Sequence, residues 1–164
     1  MKTSVTTASA PRWLNDEEMQ TWLSLLRVVM VLPGSLDRQL RDDAGIAHAS
    51  YQILAMLSAA PDRAMRMSEL AALTATSPSR LSHAVSSLEV RGWVERRQCA
   101  ADKRGQFAHL TDAGMQVLVE TAPGHVEQVR RLVFDPLTPD EVRQLGGLLA
   151  RLGEGLDHPP AEVS

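Results

Sequence analysis

The chain of 164 residues has one cysteine, few aromatic residues and no cluster of metal-binding side chains. A single cysteine, Cys99, excludes an intrachain disulfide framework and a cysteine-rich zinc site. The five histidines show no metal-ligand spacing, and neither a glycine-rich phosphate loop nor a nucleophile elbow is present. We therefore predict that the protein is not an enzyme and that it holds no metal and no cofactor.

Long apolar segments are also scarce. No apolar run approaches the roughly 20 residues that a membrane span requires, and residues 1–11 lack the apolar centre of a signal peptide. We therefore expect a cytoplasmic protein without a membrane partner, beginning with a disordered arm over residues 1–14. Aromatic residues are only 4% of a chain that is 44% hydrophobic, which favours helices over a β-sandwich.

Positive charge is in deficit overall but concentrated in one segment. The chain has a net charge of −3, whereas residues 76–109 contain six Lys or Arg against three Asp or Glu. The segment is therefore locally basic on an acidic body. That distribution suits nucleic-acid binding with limited non-specific attraction.

The N-terminal part predicts a long helix. Asn15 precedes three acids, as at a helix start, and Pro33 and Gly34 interrupt the apolar stripe that follows. We therefore predict one long, kinked or broken helix within residues 15–46. Its stripe consists of Met19, Trp22, Leu23, Leu26, Met30 and Val31.

The C-terminal part predicts two more helices, within residues 111–157. The first is expected to break or bend at residues 123–124, and a capping box at residues 138–141 opens the second. A frayed tail follows at residues 158–164. The stripe of the last helix consists of Val142, Leu145, Leu149 and Leu152. The N- and C-terminal stripes are too long for a small central domain to cover, so we predict that they dimerise two copies of the chain.

The middle of the chain, residues 47–110, alternates short helices and strands. We predict a helix over residues 50–59, a short helix over residues 69–73 with Ser68 as its cap, and a turn at residues 74–76. Ser77 followed by Pro78 then signals the start of a helix that ends near Val90, before Gly92. Two hairpin strands follow, residues 94–99 and 106–110, around a turn at residues 100–105, and Thr111 caps the next helix. This order predicts a mostly α, α+β fold: a winged helix-turn-helix.

The helix that starts at Ser77 has an unusual outer face. Leu81, Val85 and Leu88 lie at helical spacing and should face inward. The remaining positions form an outer arc of Ser79, Arg80, Ser82, His83, Ser86 and Ser87. Small polar side chains let a helix approach a groove floor, and an arginine can bond guanine in bidentate fashion. An ordinary surface helix that happens to be rich in serine is the alternative.

The hairpin is basic along one strand and at its tip. Arg96 and Arg97 lie on the first strand, and Asp102, Lys103 and Arg104 lie at the tip. Arginines presented in this way can enter a minor groove. A solvated hairpin with weak surface ion pairs is the alternative.

Together these segments resemble the multiple-antibiotic-resistance regulator (MarR) family of transcriptional regulators. The resemblance covers about residues 16–152. Its sharpest parts are residues 67–71, 77–82, 92–96, 102–104 and 110–114. Lys103 departs from the pattern, because arginine is frequent at that position, and Pro33–Gly34 interrupts a helix that is usually continuous.

The resemblance implies a homodimer whose first and last helices interlock. It also implies that the helix from Ser77 enters the major groove and that Arg104 is the wing-tip arginine. The residues that we expect to contact DNA are Ser68, Thr76, Ser77, Ser79, Arg80, His83, Ser86, Arg97, Lys103 and Arg104.

The resemblance further implies a pocket for a small aromatic or phenolic effector between the dimer arms and the DNA-binding domain. Candidate lining residues are Trp22, Leu26, Met30, His48 and Tyr51, with plain core packing as the alternative. Some relatives sense peroxide through a cysteine near the first helix. Cys99 lies in the wing instead, where an inert strand residue is the alternative to a reactive thiol.

The sequence thus predicts a sequence-specific regulator of transcription that binds duplex DNA, a ligand-responsive repressor acting as a homodimer on an inverted-repeat operator. The alternative is a winged-helix module that contacts another protein through its serine-rich face.

Overall fold

The computed structural model describes residues 11–99 and 102–157, and for Cys99, residues 102–105 and Asp157 it describes the backbone alone. The predicted tail (158–164) and all but the last residues of the predicted arm (1–14) therefore lie outside the described residues. The chain divides into two compact units, Met1–Gly34 and Ser35–Ser164.

Six helices and three strands occur in the described part of the chain. In chain order they are α1 (Asp16–Ala44), α2 (His48–Ala59), β1 (Ala64–Arg66), α3 (Met67–Leu73), α4 (Pro78–Val90), β2 (Val94–Cys99), β3 (Asp102–Leu110), α5 (Asp112–Val129) and α6 (Pro139–Asp157). A 3-10 turn, Pro61–Arg63, precedes β1, and a π-helical turn, Arg130–Phe134, follows α5. The predicted α+β winged helix is confirmed.

Helix α1 begins where the sequence predicts. Asn15 Oδ1 accepts from the Glu18 N–H at 2.9 Å, and Glu18 Oε2 accepts from the Asn15 N–H at 2.9 Å. This reciprocal cap satisfies two N–H groups that the first helical turn leaves free. Pro33 lies inside α1 without breaking it, so of the two predicted alternatives, a kinked or a broken helix, the broken one is wrong.

Length and composition alone would allow α1 to cross a membrane, since its most apolar 18 residues have a mean hydropathy of 1.2. The helix passes this test of length and composition although it contains no uninterrupted apolar run of the roughly 20 residues that a span requires. The helix nevertheless carries Arg27 among its exposed apolar side chains. An arginine at the centre of a span costs about 2.5–3.5 kcal/mol.

The three strands form one antiparallel sheet in the order β1-β3-β2. Ala64 of β1 pairs with His109 of β3, and Val94 of β2 pairs with Leu110 of β3. The sequence did not predict β1. It also placed the start of β3 four residues late, because the backbone of residues 102–105 already belongs to the strand. The register shifts between Gln98 and Cys99, next to the hairpin end.

The hydrophobic core lies inside the unit Ser35–Ser164. It joins α2, α3, α4 and the sheet with one side chain each from α1 and α5. Its largest fully buried members are Leu40, Ile46, Ile53, Leu54, Leu57, Leu70, Leu81, Val85, Leu88, Val94 and Leu110. Complete burial of a side chain of this size contributes about 1.5–3 kcal/mol. This core fixes α4 and the hairpin relative to each other.

Several helix ends differ from the prediction. Helix α2 begins at His48, two residues early, and α3 begins at Met67, so Ser68 lies inside its first turn and makes no cap. Helix α5 continues through Pro123 without a break. The capping box before α6 is confirmed, because Glu141 Oε2 accepts from the Thr138 N–H at 2.8 Å.

Candidate nucleic-acid interface

Helix α4 is held in place by its buried side and by its first turn. Ser77 Oγ accepts from the Arg80 N–H at 3.4 Å, and Pro78 occupies the first helical position, as the sequence predicts. Leu81 and Val85 are buried on the inner face. These anchors leave the opposite face of the helix free to meet a partner.

The turn that joins α3 to α4 contains a strained residue. Ala75 has a φ of 47°, in the left-handed region that glycine adopts at no steric cost. The Thr76 N–H donates to the Ala71 carbonyl at 3.0 Å, which holds the turn closed. Thr76 is half-buried, whereas Ser68, in the first turn of α3, is exposed.

The exposed face of α4 carries Ser79, Arg80, His83 and Ser87. The hydroxyls of Ser77 and Ser79 lie 3.3 Å apart at the start of the helix. One exposed cation, one imidazole and several hydroxyls therefore share the side of α4 that faces away from the core. These groups can donate to phosphate oxygens or to base edges.

Ser82 and Ser86 differ from the predicted outer arc. Both are half-buried, and both hydroxyls lie within hydrogen-bond distance of Arg96 Nη2, at 3.2 Å and 3.0 Å. The helical wheel alone placed them outward, but strand β2 packs beside that edge of α4. Arg96 is therefore engaged within the protein rather than presented at the hairpin surface.

Arg97 lies on the opposite side of β2 and has 58% of its side chain exposed. It forms an ion pair with Glu95, whose Oε1 also lies 3.5 Å from His109 Nδ1. An exposed pair of this kind stabilises by about 0–1 kcal/mol, so Arg97 can exchange Glu95 for a phosphate at small cost. The side chains of Lys103 and Arg104 lie outside the described residues.

Strand β1 and the 3-10 turn before it supply two further cations that the sequence did not single out. Arg66, on β1, is exposed and its guanidinium carbon lies 5.1 Å from the centre of the Phe107 ring. Arg63 Nη1 lies 2.9 Å from Asp112 Oδ1. Arg66 could not be predicted from the sequence, since β1 has only three residues and no alternating pattern.

The predicted pocket residues fall into both compact units. Trp22, Leu26 and Met30 belong to Met1–Gly34, where Trp22 and Met30 are exposed and Leu26 is half-buried. His48 and Tyr51 belong to Ser35–Ser164, where His48 is half-buried and Tyr51 is buried.

A third aromatic ring joins His48 and Tyr51. The ring of His125 lies 4.4 Å from that of Tyr51 and 5.7 Å from that of His48. Partial burial lowers the pKa of His48, and burial together with the charge of His48 lowers the pKa of His125. The sequence did not predict His125 as part of this cluster, because its distance along the chain hides the contact.

Two clefts lie beside the second half of α1 and α5. One, of about 580 Å³, is lined by charged side chains that include Arg38, Asp42, Glu127 and Arg131. The other, of about 370 Å³, is lined by Ile46, Trp93, Val117, Asp43 and Glu120 among others. Neither is lined by His48 or Tyr51. In the part of the chain that the structure covers, no group of three or more His, Cys, Asp or Glu is placed to hold a metal ion.

Comparison with known proteins shows which family has this arrangement of helix and hairpin. A sequence model of the MarR family matches residues 44–105. The crystal structure of Sco3205, a MarR family transcriptional regulator from Streptomyces coelicolor in complex with DNA, is 49% identical, with a TM-score of 0.87, over 94% of this chain and 97% of that one. The chain belongs to the MarR family.

Curated relatives of this MarR-family chain are also transcriptional regulators. The HTH-type regulator YkoM of Bacillus subtilis is 28% identical over 88% of this chain and 94% of its own length. The transcriptional repressor MprA of Escherichia coli is 28% identical over 69% of this chain and 64% of its own length. These relatives are regulators of transcription rather than enzymes.

Proposed function

We propose that this MarR-family protein is a cytoplasmic repressor of transcription that binds duplex DNA as a homodimer. The observation that carries the proposal is the exposed face of α4, where Ser79, Arg80 and His83 stand opposite the buried leucines. A helix with this profile fits the major groove of B-DNA, and the adjacent hairpin fits the backbone or the minor groove.

Individual roles follow from position. Arg80 reads a base, because it is exposed and can form a bidentate contact with guanine, and Ser79 and His83 support it. A second group positions the protein on the phosphate backbone near the start of α4. This group consists of Ser68, Thr76 and Ser77, whereas the hydroxyl of Ser86, a predicted DNA contact, is bonded to Arg96 instead. Arg97, Lys103 and Arg104 act from the wing.

The dimer is proposed from apolar side chains that the single chain leaves in solvent. In Met1–Gly34 the most exposed of the large ones inside α1 is Met30, at 76%. In Ser35–Ser164, helix α6 leaves Leu148, Leu149, Leu152 and Leu156 exposed. We propose residues 15–46 and 111–157 as the dimerisation segments and residues 47–110 as the DNA-binding domain. Two-fold closure would cover these side chains.

A two-fold dimer has a consequence for the operator. It presents two copies of α4 about one turn of DNA apart, roughly 34–36 Å. The operator is therefore an inverted repeat whose half-site centres are about 10 base pairs apart.

The proposed effector is a small aromatic or phenolic molecule; of the candidate residues in the unit Ser35–Ser164, half-buried His48 is available to contact it. The burial of Tyr51 favours core packing for that residue. An effector can act only by binding one conformation of the dimer better than the other. Titration of the protein–DNA complex with 4-hydroxybenzoate tests this class of ligand: release of the duplex supports the proposal, and an unchanged affinity contradicts it for simple phenolic acids.

The main experiment is selection of bound sequences from random duplex DNA, followed by affinity measurements at several salt concentrations. Arg80→Ala should cost about 1–3 kcal/mol and relax preference at one position of each half-site. Arg131→Ala is the matched control, because it removes the same charge from an exposed side chain in the π-helical turn after α5.

An equal loss on all sequences would make Arg80 a phosphate contact rather than a base reader. Absence of salt-sensitive binding to any duplex would overturn the proposed function and favour contact with another protein through the serine-rich face. Arg104→Ala should lower the salt slope by about one phosphate contact per protomer.

A further inference from the structure

We propose that Arg96 is a positioning residue that locks strand β2 onto helix α4, so that the recognition helix and the wing meet DNA as one rigid unit. This inference rests on the proposed function. The sequence groups Arg96 with the basic residues of the wing, but the structure separates it from them.

The hydrogen bonds and the ion pair of the Arg96 side chain run to α4, while its backbone pairs with Ala108 of β3. Its Nη2 donates to the Ser82 carbonyl at 2.7 Å and to the Ser86 hydroxyl at 3.0 Å. Its Nη1 lies 3.4 Å from Glu89 Oε2, and its backbone N–H donates to Glu89 Oε1 at 3.1 Å. Ser82, Ser86 and Glu89 are spaced by four and three residues, so they form one edge of the helix. We call Arg96, Ser82, Ser86 and Glu89 the α4–β2 lock.

The lock is sheltered from solvent. The side chain of Arg96 is 25% exposed and that of Glu89 is 30% exposed. Arg96 Nε is buried and has no hydrogen-bond partner among the described residues. Charge-assisted bonds of this kind are stronger than neutral ones, and shielding from water strengthens them further.

The geometry requires arginine. A planar guanidinium reaches several acceptors at once, whereas the ammonium of lysine is a compact point charge. Side chains alternate across a strand, so Arg96 shares its face with buried Val94, while Arg97 points to the other side and is exposed. Two adjacent arginines therefore have different tasks: Arg96 holds the wing, and Arg97 is available to DNA.

A simple electrostatic argument gives the opposite expectation for Glu89. Removing an acid near a DNA-binding surface should tighten binding, since it removes repulsion from phosphate. The lock predicts weaker binding instead, because loss of Glu89 releases Arg96 and lets the wing move relative to α4. The sign of the change therefore separates the two explanations.

The test compares wild-type protein with Glu89→Ala and Arg96→Lys on the selected duplex, with Glu95→Ala as the matched control. Glu95 is also an acid near the wing, but it pairs with exposed Arg97. Glu89→Ala and Arg96→Lys should each weaken binding roughly tenfold. Glu95→Ala should leave binding unchanged or tighten it. Thermal unfolding of each variant confirms that affinity is measured on folded protein.

A second measurement distinguishes positioning from general stabilisation. Arg104→Ala should weaken binding clearly in the wild-type background and much less in the Arg96→Lys background, because a released wing no longer delivers its contacts. Equal losses in both backgrounds, a lower melting temperature with unchanged affinity, or tighter binding by Glu89→Ala would overturn the lock. If wild-type protein binds no duplex, the proposed function fails first and the lock fails with it.

Discussion

Gly114 gives the sharpest test of how α5 is joined to the wing. A Cβ atom at this position would overlap the carbonyl oxygen of Trp93 and lie 2.7 Å from Leu110 Cδ1. The same Trp93 carbonyl accepts from the Thr111 N–H at 3.1 Å, and Thr111 Oγ1 donates to the Gly92 carbonyl at 2.7 Å. The obstacle is therefore backbone held by other bonds, so it cannot rotate away as a side chain could.

The expected cost of Gly114→Ala follows from these contacts. Overpacking costs about 1–3 kcal/mol, and the fixed backbone places this site in the upper part of that range. Alanine recovers about 1 kcal/mol through its higher helix propensity. The free energy of unfolding should thus fall by about 1–2 kcal/mol, and in a chain of this size the melting temperature should fall by about 2–8 °C.

The assay is thermal unfolding followed by circular dichroism at one fixed protein concentration, because the stability of a dimer depends on concentration. Ala113→Ser is the matched control, since residue 113 is exposed in the same helical turn. Its free energy of unfolding should stay within about 0.5 kcal/mol of wild type. A Gly114→Ala protein that melts at or above the wild-type temperature would refute the close approach of α5 to Trp93.

Three further predictions concern pH, the core and the dimer. Burial lowers the pKa of His48 and His125 below 6.5, so the unfolded chain binds more protons than the folded chain near that pH. The free energy of unfolding should therefore decrease as pH falls below about 6.5. In urea titrations at several pH values, His125→Gln should make that decrease smaller. Leu54→Ala should lower the free energy of unfolding by about 2–5 kcal/mol, whereas exposed Val90→Ala should change it little, as read from denaturant midpoints at constant slope. Leu152→Glu should convert dimer to monomer in sedimentation without unfolding the chain, and a dimer that persists would contradict the role of α6.

Local chemistry was enough to predict the starts of α4, α5 and α6. Ser77 with Pro78, Thr111, and Thr138 with Glu141 form their caps through bonds within three or four residues, so no distant part of the chain is needed. The inward positions of α4 were predictable for the same reason, because helical spacing alone selects one face. Two of the segments that carry the family resemblance, residues 77–82 and 110–114, contain the caps Ser77 and Thr111.

Tertiary contacts decided structural features that the local sequence pattern does not predict. The three residues of β1 carry no strand signal and become a strand because Ala64 pairs with His109. Pro33 and Pro123 were expected to bend or break their helices, yet α1 and α5 continue through them.

In the candidate site, too, some features follow from the local sequence and others only from the tertiary packing. The sequence by itself determined that α4 carries an arginine outside its buried stripe, because Arg80 is about 100° away from inward-facing Leu81 on any α-helix. Only the tertiary structure separated Arg96 from Arg97 and drew Ser82 and Ser86 away from the free face. Strand alternation puts neighbours on opposite sides, but which side meets α4 depends on how the hairpin packs, and contacts between residues 10–14 apart in sequence fix that packing.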